Sequence, residues 1–186
     1  MTANLPNILT WIRIATIPVF VWCFFSEIEF ARPIAGGLFG FAAITDFLDG
    51  YAARKLGQTS RFGAFLDPVA DKLMVTIALV LLVQGDPRVT VAMIAVVIIG
   101  REITVSALRE WMASVGEHAQ VAVSWTGKVK TGFQMFGVAF MVYQSRLFGI
   151  DIYFIGYWLL VIASVMTLWS MYIYLKAAWP TLNAPE

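Results

Sequence analysis

Cysteine and histidine are almost missing from this 186-residue chain: Cys23 and His118 are the only examples. A lone cysteine excludes a disulfide framework within the chain, and one inside an apolar run reads as a buried, inert thiol. A lone histidine with no second His or Cys beside it gives no support to a zinc site, so His118 reads as a solvated loop residue. Charge is scarce as well. Charged residues make up 13% of the chain and hydrophobic residues 60%, against about 25% and roughly 45–50% in soluble domains. That balance excludes a soluble domain and points to a protein that crosses the membrane several times. No basic run or low-complexity tract is present, so nothing points to nucleic acid as a partner. Neither a G-x-S-x-G element nor a Ser-His-Asp pattern is there to support acyl transfer. The first apolar segment has no basic stretch before it and no small-residue cleavage site after it, so it reads as a retained span.

Long apolar runs are what the chain has instead. A spanning helix needs about 20 mostly apolar residues. Six stretches qualify, at roughly 8–25, 33–55, 62–84, 90–112, 123–143 and 152–177. The expected fold is therefore all-α: a polytopic membrane protein with six transmembrane helices, forming one domain over residues 1–186. Short connections make neighbouring helices antiparallel. An even number of spans puts both termini on one side, and the basic residues choose that side. Arg54, Lys55 and Arg61 lie between the second and third spans. Arg109, Lys128 and Lys130 flank the fourth and fifth, and Lys176 lies near the C-terminus. On the other face, Arg32, Arg88 and Arg146 are diluted by Glu27, Glu29, Asp86 and Asp151. The first group is expected in the cytoplasm, with both termini, as for a bacterial inner-membrane protein. Aromatic residues near the span ends (Trp11, Trp111, Trp125, Tyr153, Trp169 and Trp179) fit interfacial belts.

Four acids break this apolar pattern: Asp46 and Asp49 near the end of the second span, Asp67 and Asp71 near the start of the third. Each pair is spaced to share one helical face, and the short turn between the spans lets the pairs converge. Each aspartate at a helix centre costs about 2.5–3.5 kcal/mol on insertion scales, less near an end, and mutual repulsion adds to this. Divalent cations offset such a cluster, because hard carboxylate oxygens suit Mg²⁺ or Mn²⁺. A salt-bridge cluster with Arg54, Lys55 and Lys72 and a cation or proton pathway are competing readings. The surrounding residues favour a bound ligand. Gly50, Ala53 and Gly63 leave room beside the acids, and Arg54 is placed to meet a phosphate. Taken singly, Gly50 or Gly63 reads as tight helix packing. Pro68 fits either a first helical turn or a kink beside the site.

Written out, residues 46–71 are D-x2-D-G-x2-A-R-x8-G-x3-D-x3-D. In every position and gap this resembles the signature of the CDP-alcohol phosphotransferases. Members of that family are integral membrane enzymes, usually homodimers, which transfer a substituted phosphate from a CDP-linked donor to an alcohol and release CMP. The resemblance implies that Asp46, Asp49, Asp67 and Asp71 hold two divalent metal ions, with Asp71 as the base for the acceptor hydroxyl. It implies that Asp49, Gly50, Ala53, Arg54 and Gly63 line the CDP-diacylglycerol site. Ser60 falls where some members contact the nucleotide, although turn polarity alone also explains a serine there.

The acceptor is read from "GREITVSALREWMASVGEHAQVAVSWTGKVKTGFQ", residues 100–134. Cations next to the acids, Arg101 and Arg109 on the fourth span and Lys128 at the start of the fifth, favour an anionic acceptor such as glycerol 3-phosphate or inositol phosphate. Lys130 is equally well read as a snorkelling lysine. Within the family, "REI", "SALREWMA", "VAVSW" and "GKVKT" resemble the bacterial phosphatidylglycerophosphate synthases, as do "NLPNILTWIRI" and "RFGAFLDPVADKL". That likeness implies glycerol 3-phosphate as the acceptor, bound by Arg101, Arg109 and Lys128. Thr10 and Arg13 are possible additions, competing with helix capping for Thr10 and an interfacial role for Arg13.

Overall fold

A computed structural model describes residues 5–56, 61–116 and 125–183, with the side chains of residues 5–7, 46–56, 61, 62, 64 and 125–128 left aside. Six helices carry the chain: α1 (Leu5–Phe25), α2 (Ala31–Leu56), α3 (Arg61–Gly85), α4 (Val89–Ser114), α5 (Trp125–Tyr143) and α6 (Ile152–Leu182). Every expected span is a helix. The largest difference is at the C-terminus, where α6 continues five residues beyond 177. Its 31 residues make a rod about 46 Å long at 1.5 Å per residue. That exceeds the hydrocarbon core of a bilayer, about 30 Å.

Among the described residues, three helices are long and apolar enough to cross a membrane: 8–25 within α1, α4 and α6. This marks a membrane protein. α2, α3 and α5 carry the acids and lysines that drew attention in the sequence. The outward faces agree with an apolar surrounding. Trp22, Phe30, Phe41, Val96 and Trp169 are all more than 60% exposed, a surface that water would not tolerate.

Inside, Phe20 of α1 meets Phe39 of α2 with ring centroids 6.1 Å apart. Leu79, Ile98, Val138, Met141, Val142 and Leu160 continue the core through α3 to α6. Small residues set the closest helix approach, as expected where lipid supplies no hydrophobic drive. A Cβ built on Gly156 of α6 would lie 2.8 Å from the Gly137 carbonyl oxygen of α5. Gly36 of α2 meets the Tyr143 Cβ in the same way, at 2.7 Å. A carbonyl oxygen and a Cβ both stay in place when a side chain rotates, so these contacts cannot yield in that way. Gly156→Leu is expected to cost about 1–3 kcal/mol or more through overpacking. The thermal midpoint of the variant in detergent, set against the wild type, checks this.

The connection between α5 and α6 was not foreseen. It is a two-residue hairpin in which Arg146 pairs with Asp151 and Leu147 with Ile150. Phe148 and Gly149, at φ 51° and 80°, make its turn. Positive φ at both central residues is what a tight antiparallel turn of this kind requires. Asp151 then caps α6 by accepting the Phe154 N–H at 3.1 Å.

The same end of the bundle is tied by Asp86, in the turn after α3. Arg88 donates to both its carboxylate oxygens, from Nε at 2.9 and 3.0 Å and from Nη2 at 2.6 Å. The Tyr153 hydroxyl donates to it as well. The Arg88 hydrogen bonds, outweighing partial burial and aided by Tyr153, pull the Asp86 carboxyl down from 3.8 to about 2. A depressed pKa means that the unfolded chain binds the proton more tightly. The Asp86 contribution is therefore complete above pH 3.8 and is lost as pH falls towards 2. The difference in thermal midpoint between wild type and Asp86→Asn should accordingly shrink over that window; a constant difference would place the stabilisation elsewhere.

Candidate active site

Alternating helices bring six termini to the opposite end: the starts of α1, α3 and α5 and the ends of α2, α4 and α6. Of the described candidate site residues, Thr10, Arg13, Gly63, Asp67, Asp71 and Arg109 lie on the parts of their helices nearest this end. Pro68 is the eighth residue of α3, well past the first turn. It lacks the N–H that the carbonyl of residue 64 would otherwise meet. Asp67 and Asp71 flank it, one turn apart and half-buried. Gly63 is buried one turn before Asp67. Asp46, Asp49, Gly50, Ala53 and Arg54 lie in the last turns of α2, but their side chains fall outside the described ones. Ser60 and His118 lie outside the described residues altogether, and so does the side chain of Lys128.

From α1, Thr10 and Arg13 reach inward, 1% and 4% exposed. Thr10 is the sixth residue of its helix, so it is no cap; its hydroxyl donates to Asp67 Oδ1. Arg13 lines a small void together with Asp71, Phe39 and Met135. Burial that deep does not fit an interfacial arginine. Both residues thus lie beside the described carboxylates.

Two carboxylates project from one face of α3, and Thr10 orients an oxygen of Asp67. Lys72, the cation next in sequence, donates instead to Ser106 Oγ of α4 at 2.6 Å. Among the described residues no three acidic, His or Cys side chains gather. The described half of the cluster is Asp67 and Asp71, and its oxygen donors fit a hard divalent cation.

Asp71 also lines a cavity of about 570 Å³ between α3, α4, α5 and α6. Arg101 and Arg109 of α4 line it too. Arg101 donates to Glu102 Oε1 at 2.6 Å and to Ser170 Oγ of α6 at 3.4 Å, while its Nε is buried without a partner. Arg109 donates to the Tyr174 hydroxyl at 2.5 Å. Lys130 is a cavity residue as well, only 5% exposed and 4.0 Å from Glu102. Snorkelling is thereby ruled out for it. Sequence reasoning left Lys130, Gln134, Ser170 and Tyr174 out of the site. A signal existed: Lys130 and Gln134, and likewise Ser170 and Tyr174, are four apart on otherwise apolar helices, and so share a face.

Among the described lining residues, Lys72, Arg101, Arg109 and Lys130 outnumber Asp71 and Glu102. Such a set suits an anionic group. The deeper wall, with Val75, Ile98, Ile99 and Val165, is apolar.

The sequence has relatives. The sequence model of the CDP-alcohol phosphatidyltransferases matches residues 3–169. The chain belongs to that family. Among CDP-alcohol phosphatidyltransferases, the CDP-diacylglycerol–glycerol-3-phosphate 3-phosphatidyltransferase of Pseudomonas fluorescens is 48% identical over 182 residues, which is 97% of this chain and 92% of that protein. Proteins of the same name from Yersinia enterocolitica and Pectobacterium atrosepticum are each 46% identical over 185 residues, the full length of both chains. The family match takes in both aspartate pairs and the α4 and α5 cations. It stops before Ser170 and Tyr174.

Proposed function

We propose that the chain transfers the phosphatidyl group of CDP-diacylglycerol to glycerol 3-phosphate, releasing CMP and forming phosphatidylglycerophosphate. The observation that carries this reading is the shared cavity: Asp71 opens onto the same space as Arg101, Arg109 and Lys130. An acid beside a cationic chamber is what deprotonation of a phosphate-bearing alcohol requires. The full-length likeness to proteins named for this reaction supports the acceptor.

In this reading Asp46, Asp49, Asp67 and Asp71 hold two divalent cations, Mg²⁺ or Mn²⁺. When bound, such ions neutralise charge on the donor pyrophosphate and on the departing CMP. Gly50, Ala53, Arg54, Ser60 and Gly63 receive the CDP portion, and the diacylglycerol tails lie between helices in the bilayer. Arg101, Arg109 and Lys130, with Lys128 nearby in sequence, hold the phosphate of the acceptor. Its free hydroxyl is thereby directed at the donor phosphorus, and Asp71 accepts the proton as the oxygen attacks. Thr10 keeps Asp67 in one orientation, and Arg13 supports Asp71.

All six helices cross the membrane in this proposal, as one domain. Both termini and the site face the cytoplasm of a bacterial inner membrane, and two copies form a homodimer. The basic residues at the site end of the bundle support that orientation.

The test is CMP release by purified protein given CDP-diacylglycerol and a divalent metal, with glycerol 3-phosphate, inositol phosphate, serine and phosphatidylglycerol supplied separately. Release with glycerol 3-phosphate alone is expected. Release with another alcohol would keep the carboxylate chemistry and remove the acceptor assignment; no release with any would remove both.

A further inference from the structure

An exposed arginine on a helix samples many rotamers, and little of its charge is then available at one place. Arg109 has this problem. It lies on the exposed side of α4, yet it lines the cavity. The group that resolves it comes from α6. Tyr174 accepts from Arg109 Nη2 at 2.5 Å, and the guanidinium lies 5.1 Å from the centre of the tyrosine ring. The same ring is 5.9 Å from the Arg101 guanidinium. One turn earlier, Ser170 accepts from Arg101 at 3.4 Å. One face of α6 thus holds both α4 arginines, two turns apart, towards one space. Glu102 and Ser106 of α4 tie Arg101, Lys130 and Lys72 from the other side. Ser170 and Tyr174 lie beyond the segment that matches the family, 3–169.

We propose that Tyr174 is a positioning residue that aims Arg109 into the cavity and thereby sets the affinity for the phosphate-bearing acceptor. This rests on the reading given under Proposed function. The tyrosine acts through Arg109: its hydrogen bond and ring fix the guanidinium before the substrate arrives, so binding does not have to order it. A contact that merely joined α4 to α6 would change stability and leave acceptor affinity alone.

Steady-state kinetics of CMP release by full-length protein in detergent, with glycerol 3-phosphate varied at saturating CDP-diacylglycerol and metal, separate these roles. Tyr174→Phe keeps the ring and loses the hydroxyl. Its KM for glycerol 3-phosphate should rise about tenfold, as expected for a lost hydrogen bond to a charged group. Its kcat and its KM for CDP-diacylglycerol should stay within about twofold of wild type. In an Arg109→Ala background, where KM is already raised, adding Tyr174→Phe should change KM by less than about twofold. An unchanged KM in Tyr174→Phe, an equal rise in both backgrounds, or loss of the folded state on removal of one hydroxyl would each overturn the inference. Failure of the wild type itself to use glycerol 3-phosphate would overturn the parent reading, and this inference with it.

Discussion

Asp67→Asn is expected to reduce CMP release by at least about 10³-fold, a barrier increase of roughly 4 kcal/mol. The substitution preserves shape and can still meet the Thr10 hydroxyl, which donates to Asp67 Oδ1 in the wild type. What it removes is a negative oxygen from the set that fits a hard cation. Folding should survive, because an uncharged side chain lowers the repulsion within the acidic cluster. A second readout does not depend on turnover. Divalent metal should raise the thermal midpoint of the wild type in detergent, since it binds the folded state, and should raise that of the variant much less. Normal turnover together with an undiminished metal shift would remove Asp67 from the metal site. An intact metal shift with lost turnover would leave Asp67 a role in catalysis other than holding the ions.

Arg101→Ala is expected to raise the KM for glycerol 3-phosphate by about 10–100-fold, the loss of roughly 1.5–3 kcal/mol of charged hydrogen bonding. Arg101→Lys should restore little of it, because an ammonium cannot reproduce the planar fork of a guanidinium. Arg101 is largely buried and paired with Glu102 at 2.6 Å, so truncation also leaves a carboxylate without its main partner. Lys130, 4.0 Å from Glu102, then becomes its nearest cation. It is drawn away from the substrate, which adds to the loss. Pairing Arg101→Ala with Glu102→Gln separates the two effects. The double variant should recover thermal stability and keep the weak acceptor binding. Recovery of both would mean that Arg101 matters only as the counter-ion of Glu102.

The reach of the sequence differed from region to region. The six helices were legible because apolar runs of about 20 residues admit almost no other solution in a bilayer. The aspartate pairs were legible because a carboxylate in such a run is costly enough to demand a reason. The α5–α6 hairpin was not, since two residues of strand carry no periodicity and Phe148 is an unusual residue at positive φ. Pro68 was ambiguous until the start of α3 was known. Lys130 was ambiguous for a different reason: snorkelling and burial draw on the same side chain, and only the packing of α4 and α6 around it decides.

Sequence alone determined which helices form and that the helix segments carrying the two aspartate pairs meet at one end of the bundle. Both follow from local rules, apolar run length in one case and helical spacing with alternating direction in the other. Tertiary structure decided which side chains share a space. It set Thr10 against Asp67 and brought Asp71 into one cavity with Arg101, Arg109 and Lys130. It also recruited Ser170 and Tyr174 from a largely apolar helix. Such meetings depend on helix rotation and on the depth of approach at contacts such as Gly137 with Gly156. No local pattern encodes those, because they come from the fit of all six helices at once.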